Sequence, residues 1–317
     1  MNSTYPMSNA KELLARIKEK QKRDYERELE TVEDNVLDNT SKFDALDVAT
    51  KMMYPAILTA QVLMGFALSV MIFGSAGIGK TYGVMKALQE SGRTWILTED
   101  EKRDMTPEEM DKWLELPAPS LVKISGAITQ KGLYKVLYKY RKGFILVFDD
   151  CDDVLKDKKM ANLLKAVLDN GIEHRIVTWE SSVKNEELPT SFEFQSQIIF
   201  ISNMTADKVD KAVRSRSVDI NLVLNPDEAY EHIGNVLPFI ETTRLNADGE
   251  PVKIELDTKI QKEIFEKISI HREQLAEYSF RTYKNAVSCY QFCQEADDTY
   301  GKEWFDLWYE QQDEILQ

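Results

Sequence analysis

Cysteine is scarce in this chain: Cys151, Cys289 and Cys293 are the only three in 317 residues. An odd number without paired spacing argues against a disulfide framework or a zinc site, and it implies a reducing, cytosolic compartment. Cys289 and Cys293, in "SCYQFC", are expected to pack one above the other on a helix. Positive charge is also in deficit, with 40 Lys and Arg against 54 Asp and Glu for a net charge of −14. That balance argues against indiscriminate binding to a polyanion, which needs phosphates neutralised over a broad surface. The N-terminus "MNSTYPMSNAKELL" lacks a basic segment followed by an apolar core, so no secretory signal is expected. Charge is absent altogether from Met52 to Ile78, long enough to satisfy a membrane-span rule. Pro55, Gln61 and Gly65 interrupt that run and it ends in a glycine turn, so it reads as part of a soluble sheet, with no membrane contact expected.

What the chain does have is 43% apolar residues, ample for a buried core, and one loop of unusual chemistry. In "VMIFGSAGIGKTYGVMKAL" an apolar strand runs into Gly74, Ser75, Ala76, Gly77, Ile78, Gly79, Lys80 and Thr81, with Tyr82 following. Glycines let the loop's N–H groups point inward, and a helix opening at Lys80 presents an N-terminus that favours anions. The spacing Gly-x-x-x-x-Gly-Lys-Thr is the Walker A pattern: Lys80 reaches β- and γ-phosphates, and the Thr81 hydroxyl holds Mg²⁺. Both required neighbours are present, since "SVMIF" is a strand pattern and Val84, Ala87 and Leu88 recur at helical spacing.

Residues 1–48 are densely charged with a sparse apolar stripe and read as an exposed helical arm, either solvated or docked on a neighbour. Residues 49–225 alternate strand and helix patterns, and the segment after the loop helix is an acidic, proline-punctuated insertion. In "FILVFDDCDDVL", Ile145 to Phe148 form a buried parallel-strand run that delivers Asp149 and Asp150 at its carboxyl end, where open α/β sheets bind ligands. One carboxylate there holds Mg²⁺ and a second orients the water that attacks the γ-phosphate. "HRIVTWESS" and "TSFEFQSQIIFISN" alternate like a hairpin, 174–197, running into another buried strand, and Asn203 ends that strand with an amide suited to a γ-phosphate or the attacking water. A short helix carrying Arg214 and Arg216 follows, then a last strand. Residues 226–317 read as helical and close with an acidic, aromatic tail.

With those residues in order from Val70 to Arg281, the chain resembles an AAA+ ATPase. The resemblance implies an α/β P-loop fold with a parallel five-stranded sheet flanked by helices, a C-terminal helical lid and an N-terminal helical arm. It implies ATP and Mg²⁺ as ligands, "ILVFDD" as Walker B, Asn203 as sensor 1, Arg214 or Arg216 as a finger reaching the next subunit's nucleotide, and Arg281 in "SFRTYKNAV" as sensor 2. It also implies a homo-oligomer, six subunits in a ring. Of the two arginines Arg216 is favoured, because it lies nearer the following strand; capping a helix C-terminus is the competing role. The wording around the motifs is similar to small AAA+ proteins of tailed bacteriophages, which would place the protein in the bacterial host cytoplasm. One departure stands out: the family usually ends Walker B with Asp-Glu, whereas this chain has Asp149-Asp150. Asp150 is the expected base and Asp152 the alternative.

Two classes of target remain open, because both use the same engine. "KGLYKVLYKYRK", Lys131 to Lys142, has five basic residues, three tyrosines and no acid, the composition of a surface that contacts DNA phosphates and stacks on bases. Inward packing of those tyrosines is the competing reading. The 174–197 hairpin, between Walker B and sensor 1, would on the same resemblance project into a ring's pore as in related helicases. A protein partner is favoured instead by the net negative charge, the N-terminal arm and the tail aromatics Trp304, Trp308 and Tyr309; ordinary helix packing is the competing reading of those aromatics.

Overall fold

The computed structural model describes residues 43–97, 99–114, 116–171, 173–179, 188–275, 277–296 and 303–313. The expected N-terminal arm therefore lies outside the described residues, apart from its last few.

Helix α1 (Val48–Leu63) starts at Asp47, whose carboxylate accepts from the Thr50 N–H at 2.9 Å. It leads into β1 (Ser69–Gly74), and the phosphate loop then opens α2 (Lys80–Glu90). The acidic insertion folds as two short helices, α3 (Glu99–Asp104) and α4 (Pro107–Leu114). A capping box between Thr106 and Glu109 starts the second. Next come β2 (Leu121–Ser125), α5 (Gln130–Lys139), β3 (Lys142–Asp149), α6 (Asp152–Lys156) and α7 (Lys158–Val167). The hairpin strands β4 (Ile176–Thr178) and β5 (Ser191–Glu193) precede β6 (Gln195–Ser202), α8 (Lys211–Arg214) and β7 (Val218–Leu222).

Strands β2, β3, β6, β1 and β7 form, in that order, one five-stranded sheet whose neighbours are all parallel. Every residue of β1 is buried, which is what a strand covered by helices on both faces requires. Side chains alternate across the sheet. Met71, Phe73, Phe148 and Phe200 join Leu133 and Leu164 in one apolar layer. Val70, Ile72, Val147 and Ile201 join Leu58 and Val84 in the other. Phe148 and Phe200 stack with centroids 5.3 Å apart, which fixes β3 against β6. The result is a three-layer α/β/α core in which the carboxyl ends of β1, β3 and β6 adjoin.

Beyond β7 a third apolar cluster forms, built on α9 (Pro226–Val236), α10 (Thr258–Ser269), α11 (Phe280–Glu295) and α12 (Trp304–Asp313). This region is not wholly helical as expected: β8 (Thr243–Leu245) and β9 (Pro251–Lys253) pair antiparallel, and all six of their residues are exposed. The tail aromatics are part of this cluster and not an outward surface. Trp308 is fully buried, and Trp304 packs on Tyr290 and Phe305. Among the described residues no helix is long and apolar enough to cross a membrane.

Gly74 closes the sheet against β7. Its φ is +144°, and a Cβ there would lie 2.0 Å from the Leu222 carbonyl oxygen. That oxygen belongs to backbone and cannot swing aside. Gly74→Ala is therefore expected to lower stability by about 3 kcal/mol or more, read as a fall in the chemical denaturation midpoint.

Candidate phosphate-binding site

The loop between β1 and α2 turns on three glycines with positive φ, Gly74 at 144°, Gly77 at 69° and Gly79 at 98°. Gly79 is the N-cap of α2 and offers no side-chain cap, which leaves the helix N-terminus to another acceptor. The Lys80 side chain folds back over the loop. Its Nζ donates to the carbonyls of Gly74 (2.8 Å) and Ser75 (2.6 Å) and to Asn203 Oδ1 (2.9 Å). Lys80 is 5% exposed, and burial pulls its pKa down to about 8, against the pull of Asp150.

Asn203 is the bridge of the site. Its carbonyl faces Lys80 while its Nδ2 donates to Asp150 Oδ1 at 2.8 Å. Asp150 is the one non-glycine with positive φ among the described residues, at 56°, and its N–H donates to the Ile201 carbonyl at 3.1 Å. Aspartate tolerates that conformation better than most residues, and the turn brings its carboxylate to Asn203, just past the end of β6. Asp149 is buried and takes two donors: Thr81 Oγ1 to Oδ1 at 3.0 Å, and Lys123 Nζ to Oδ2 at 2.9 Å. The alternative base, Asp152, accepts from Ser202 Oγ at 2.6 Å and lies 3.7 Å from Lys156, so it braces the end of β6. Cys151, between these carboxylates, is buried with its pKa pushed up to about 11, chiefly by desolvation. It is packing, not a nucleophile.

The C-terminal helical cluster packs directly on the loop. The Phe280 N–H donates to the Gly77 carbonyl at 3.1 Å, and His232 Nε2 donates to the Ile78 carbonyl at 3.2 Å. Desolvation lowers the His232 pKa, against the pull of that hydrogen bond. A Cβ on Gly77 would meet Ser279 Oγ at 2.7 Å and Arg281 Cγ at 3.3 Å, so Arg281 lies over the loop, and its charge opposes that of Lys80. Lys51 on α1, 3% exposed, pairs with Glu228 of α9 at 2.6 Å.

Sequence reasoning did not single out His232, Phe280, Ser279, Lys51, Glu228 or Lys123. Tyr82, expected at the nucleotide, is 70% exposed on the outer face of α2 beside Lys86. The arginines contact their own subunit here. Arg214 pairs with Asp219 at 2.8 Å, and Arg216 Nη1 donates to the Ala212 carbonyl at 2.6 Å, the geometry of a helix C-terminal cap. The three tyrosines of Lys131 to Lys142 turn inward. Tyr134 and Tyr138 pack on Phe192 of the β4–β5 hairpin, and Tyr140 packs on Phe144; Tyr134 is buried and the other two are half-buried. Lys131, Lys135, Lys139 and Lys142 stay exposed.

The donor set fits a magnesium nucleotide: hard oxygens from a hydroxyl and a carboxylate side by side at a helix N-terminus, with a buried ammonium next to them.

No protein-family model matches the chain. An uncharacterized 36.7 kDa protein from the nrdC-mobD intergenic region of Enterobacteria phage T4 is 30% identical over 186 residues, 54% of this chain. The match spans about half, 50%, of that relative's length. Among solved structures, the FIGL-1 AAA domain in complex with ADP is similar at 13% identity and TM-score 0.38, over 87% of this chain and 84% of that one. The Thermotoga maritima RuvB Holliday junction branch migration motor is similar at 13% identity and TM-score 0.40, over 80% and 66%.

The depressed Lys80 pKa carries a sign. The unfolded lysine titrates near 10.5 and the folded one near 8, so the unfolded state holds more protons between those values and stability rises with pH across that window. Between pH 7 and 9.5 the wild-type protein should gain about 2 kcal/mol relative to Lys80→Met, measured as the difference in urea unfolding free energies at the two pH values.

Proposed function

We propose that this chain is an AAA+-type ATP hydrolase that works as a ring of identical subunits. The observation that supports it is the convergence of Lys80, Thr81, Asp149, Asp150 and Asn203, from the ends of β1, β3 and β6, into two adjoining hydrogen-bonded sets, Lys80–Asn203–Asp150 and Thr81–Asp149, at the edge of a parallel sheet. On this reading Lys80 neutralises the β- and γ-phosphates of ATP, while Thr81 and Asp149 hold Mg²⁺. The bound ion offsets charge on the phosphoryl oxygens. Asp150 accepts the proton of the attacking water. Asn203 positions Asp150 and, through its carbonyl, the Lys80 ammonium. Arg281 and the lid backbone at Phe280 report the state of the loop to the lid.

Hydrolysis in this class needs a cation on the far side of the phosphoryl group, supplied in trans. Arg214 is committed to Asp219 through two nitrogens. Arg216, held by one backbone carbonyl, exchanges partners at lower cost and is the proposed finger. A head-to-tail contact of identical subunits closes into a ring when the rotation permits, and six is the proposed number.

The proposed target is DNA or a nucleoprotein, gripped by backbone phosphates alone. The exposed lysines of α5 and the β4–β5 hairpin are one surface, joined through Tyr134, Tyr138 and Phe192. A protein-remodelling role is the second reading, favoured by the inward tyrosines and the net charge of −14. Stimulation of ATP turnover by single-stranded or duplex DNA at moderate salt, weakening as salt rises, separates the two; no stimulation by either favours the protein target.

Two sets of variants test the engine. Lys80→Ala should lose nucleotide binding, whereas Asp150→Asn should bind ATP and lose about 100-fold or more in turnover. An Asp150→Asn protein that hydrolyses at the wild-type rate removes Asp150 as the base. For the trans finger, Arg216→Ala should bind ATP without hydrolysing it, and mixing it with Lys80→Ala subunits should restore part of the activity. Turnover per subunit that stays constant down to a monomeric concentration removes the finger and the ring together.

A further inference from the structure

We propose that Lys123 is the resident counter-cation of Asp149 and that it sets how much divalent cation the nucleotide site requires. The proposal rests on the nucleotide reading above and adds a residue that no Walker motif contains.

Asp149 is 7% exposed, and its two oxygens have separate partners. Oδ1 accepts from the Thr81 hydroxyl, which is neutral, and Oδ2 faces the Lys123 ammonium at 2.9 Å. Lys80, the obvious cation of the site, donates elsewhere, to Gly74, Ser75 and Asn203. The charge paired with the buried carboxylate is therefore that of Lys123.

The fold places it there by register. On the edge strand β2, Ser125 pairs with Asp149 and Lys123 with Val147. Lys123 and Ser125 share a face because side chains alternate, so a lysine two residues before the strand end reaches forward to the carboxylate. A shorter side chain at that position would fall short.

A cation held by Thr81 and Asp149 draws on the same carboxylate, so it competes with the ammonium for negative charge. The competition is mild because the Lys123 side chain is 41% exposed, against 10% for Asp149. The lysine can return to water at small cost, whereas the carboxylate cannot. Removing Lys123 should therefore tighten divalent-cation binding by about five-fold, the scale of one partly exposed ion pair. Without any divalent cation the sign reverses, since Asp149 then faces the phosphates uncompensated.

The test follows binding, not turnover. Fluorescent mant-ATP is titrated with MgCl₂ on the wild-type protein, Lys123→Met and Lys123→Arg, and mant-ATP affinity is measured again in EDTA. The half-saturating Mg²⁺ concentration should fall about five-fold in Lys123→Met and stay near wild type in Lys123→Arg. In EDTA, Lys123→Met should bind mant-ATP more weakly than wild type. Lys123→Gln replaces the methionine variant if the latter does not fold. A neutral variant with the wild-type Mg²⁺ requirement overturns the proposal, as does an arginine variant that behaves like methionine. Wild-type protein that binds no mant-ATP with or without Mg²⁺ overturns the nucleotide reading itself, a result distinct from either.

Discussion

The site is organised around one buried ammonium. A lysine charge taken out of water costs several kcal/mol unless acceptors surround it, and Lys80 is surrounded from two directions: carbonyls of its own loop and the amide of Asn203. The second direction exists only because β6 lies beside β1. A strand order that followed the chain would put β2 there and Asn203 elsewhere. The crossover that inserts β6 between β3 and β1 is therefore what allows a charged loop in a buried position, and the same crossover lines up Asp150 with Asn203.

The lid is bound to this centre by backbone as well as by side chains. Gly77 and Ile78 give their carbonyls to Phe280 and His232, so a rearrangement of the loop changes lid contacts directly. Glu228 adds a second tie, since one oxygen caps α9 through the Asn225 N–H and the other pairs with the buried Lys51. A helix whose cap and whose buried ion pair share a carboxylate moves as a unit with α1. Loop, C-terminal helices and α1 are thus joined by backbone and side-chain contacts around Lys80.

How much of this was legible in the sequence depends on range. The loop could be read because glycine spacing, the lysine and the flanking periodicities lie within a few residues of one another, and the central strands β1, β3 and β6 because buried parallel strands are continuous apolar runs, whereas the edge strands β2 and β7 carry polar residues. The roles of His232 and Lys123 could not, since their partners lie far along the chain and neither residue has a local pattern. Two readings left open had local signals that favoured packing. Tyr134 and Tyr138 recur with Leu133 and Leu137 at helical spacing, the mark of an inward face, and Trp304 and Trp308 repeat that interval. The β8–β9 hairpin has no buried face and hence no alternation, yet its "NADGE" turn was visible, with Gly249 at φ 82° and Asn246 accepting from Asp248 and Glu250.

The Asp149-Asp150 ending of β3 follows from the same geometry. A glutamate reaches one methylene further than an aspartate, and here the backbone supplies part of that reach. Asp150 sits in the left-handed region, pinned through its N–H to Ile201, so its short carboxylate meets Asn203 at 2.8 Å. That conformation costs of order 1 kcal/mol for a non-glycine residue, and the hydrogen bonds at both ends of the residue offset it. On the proposed mechanism, the aspartate and the left-handed turn are a matched pair, and a change to either alone would displace the base from the amide that positions it.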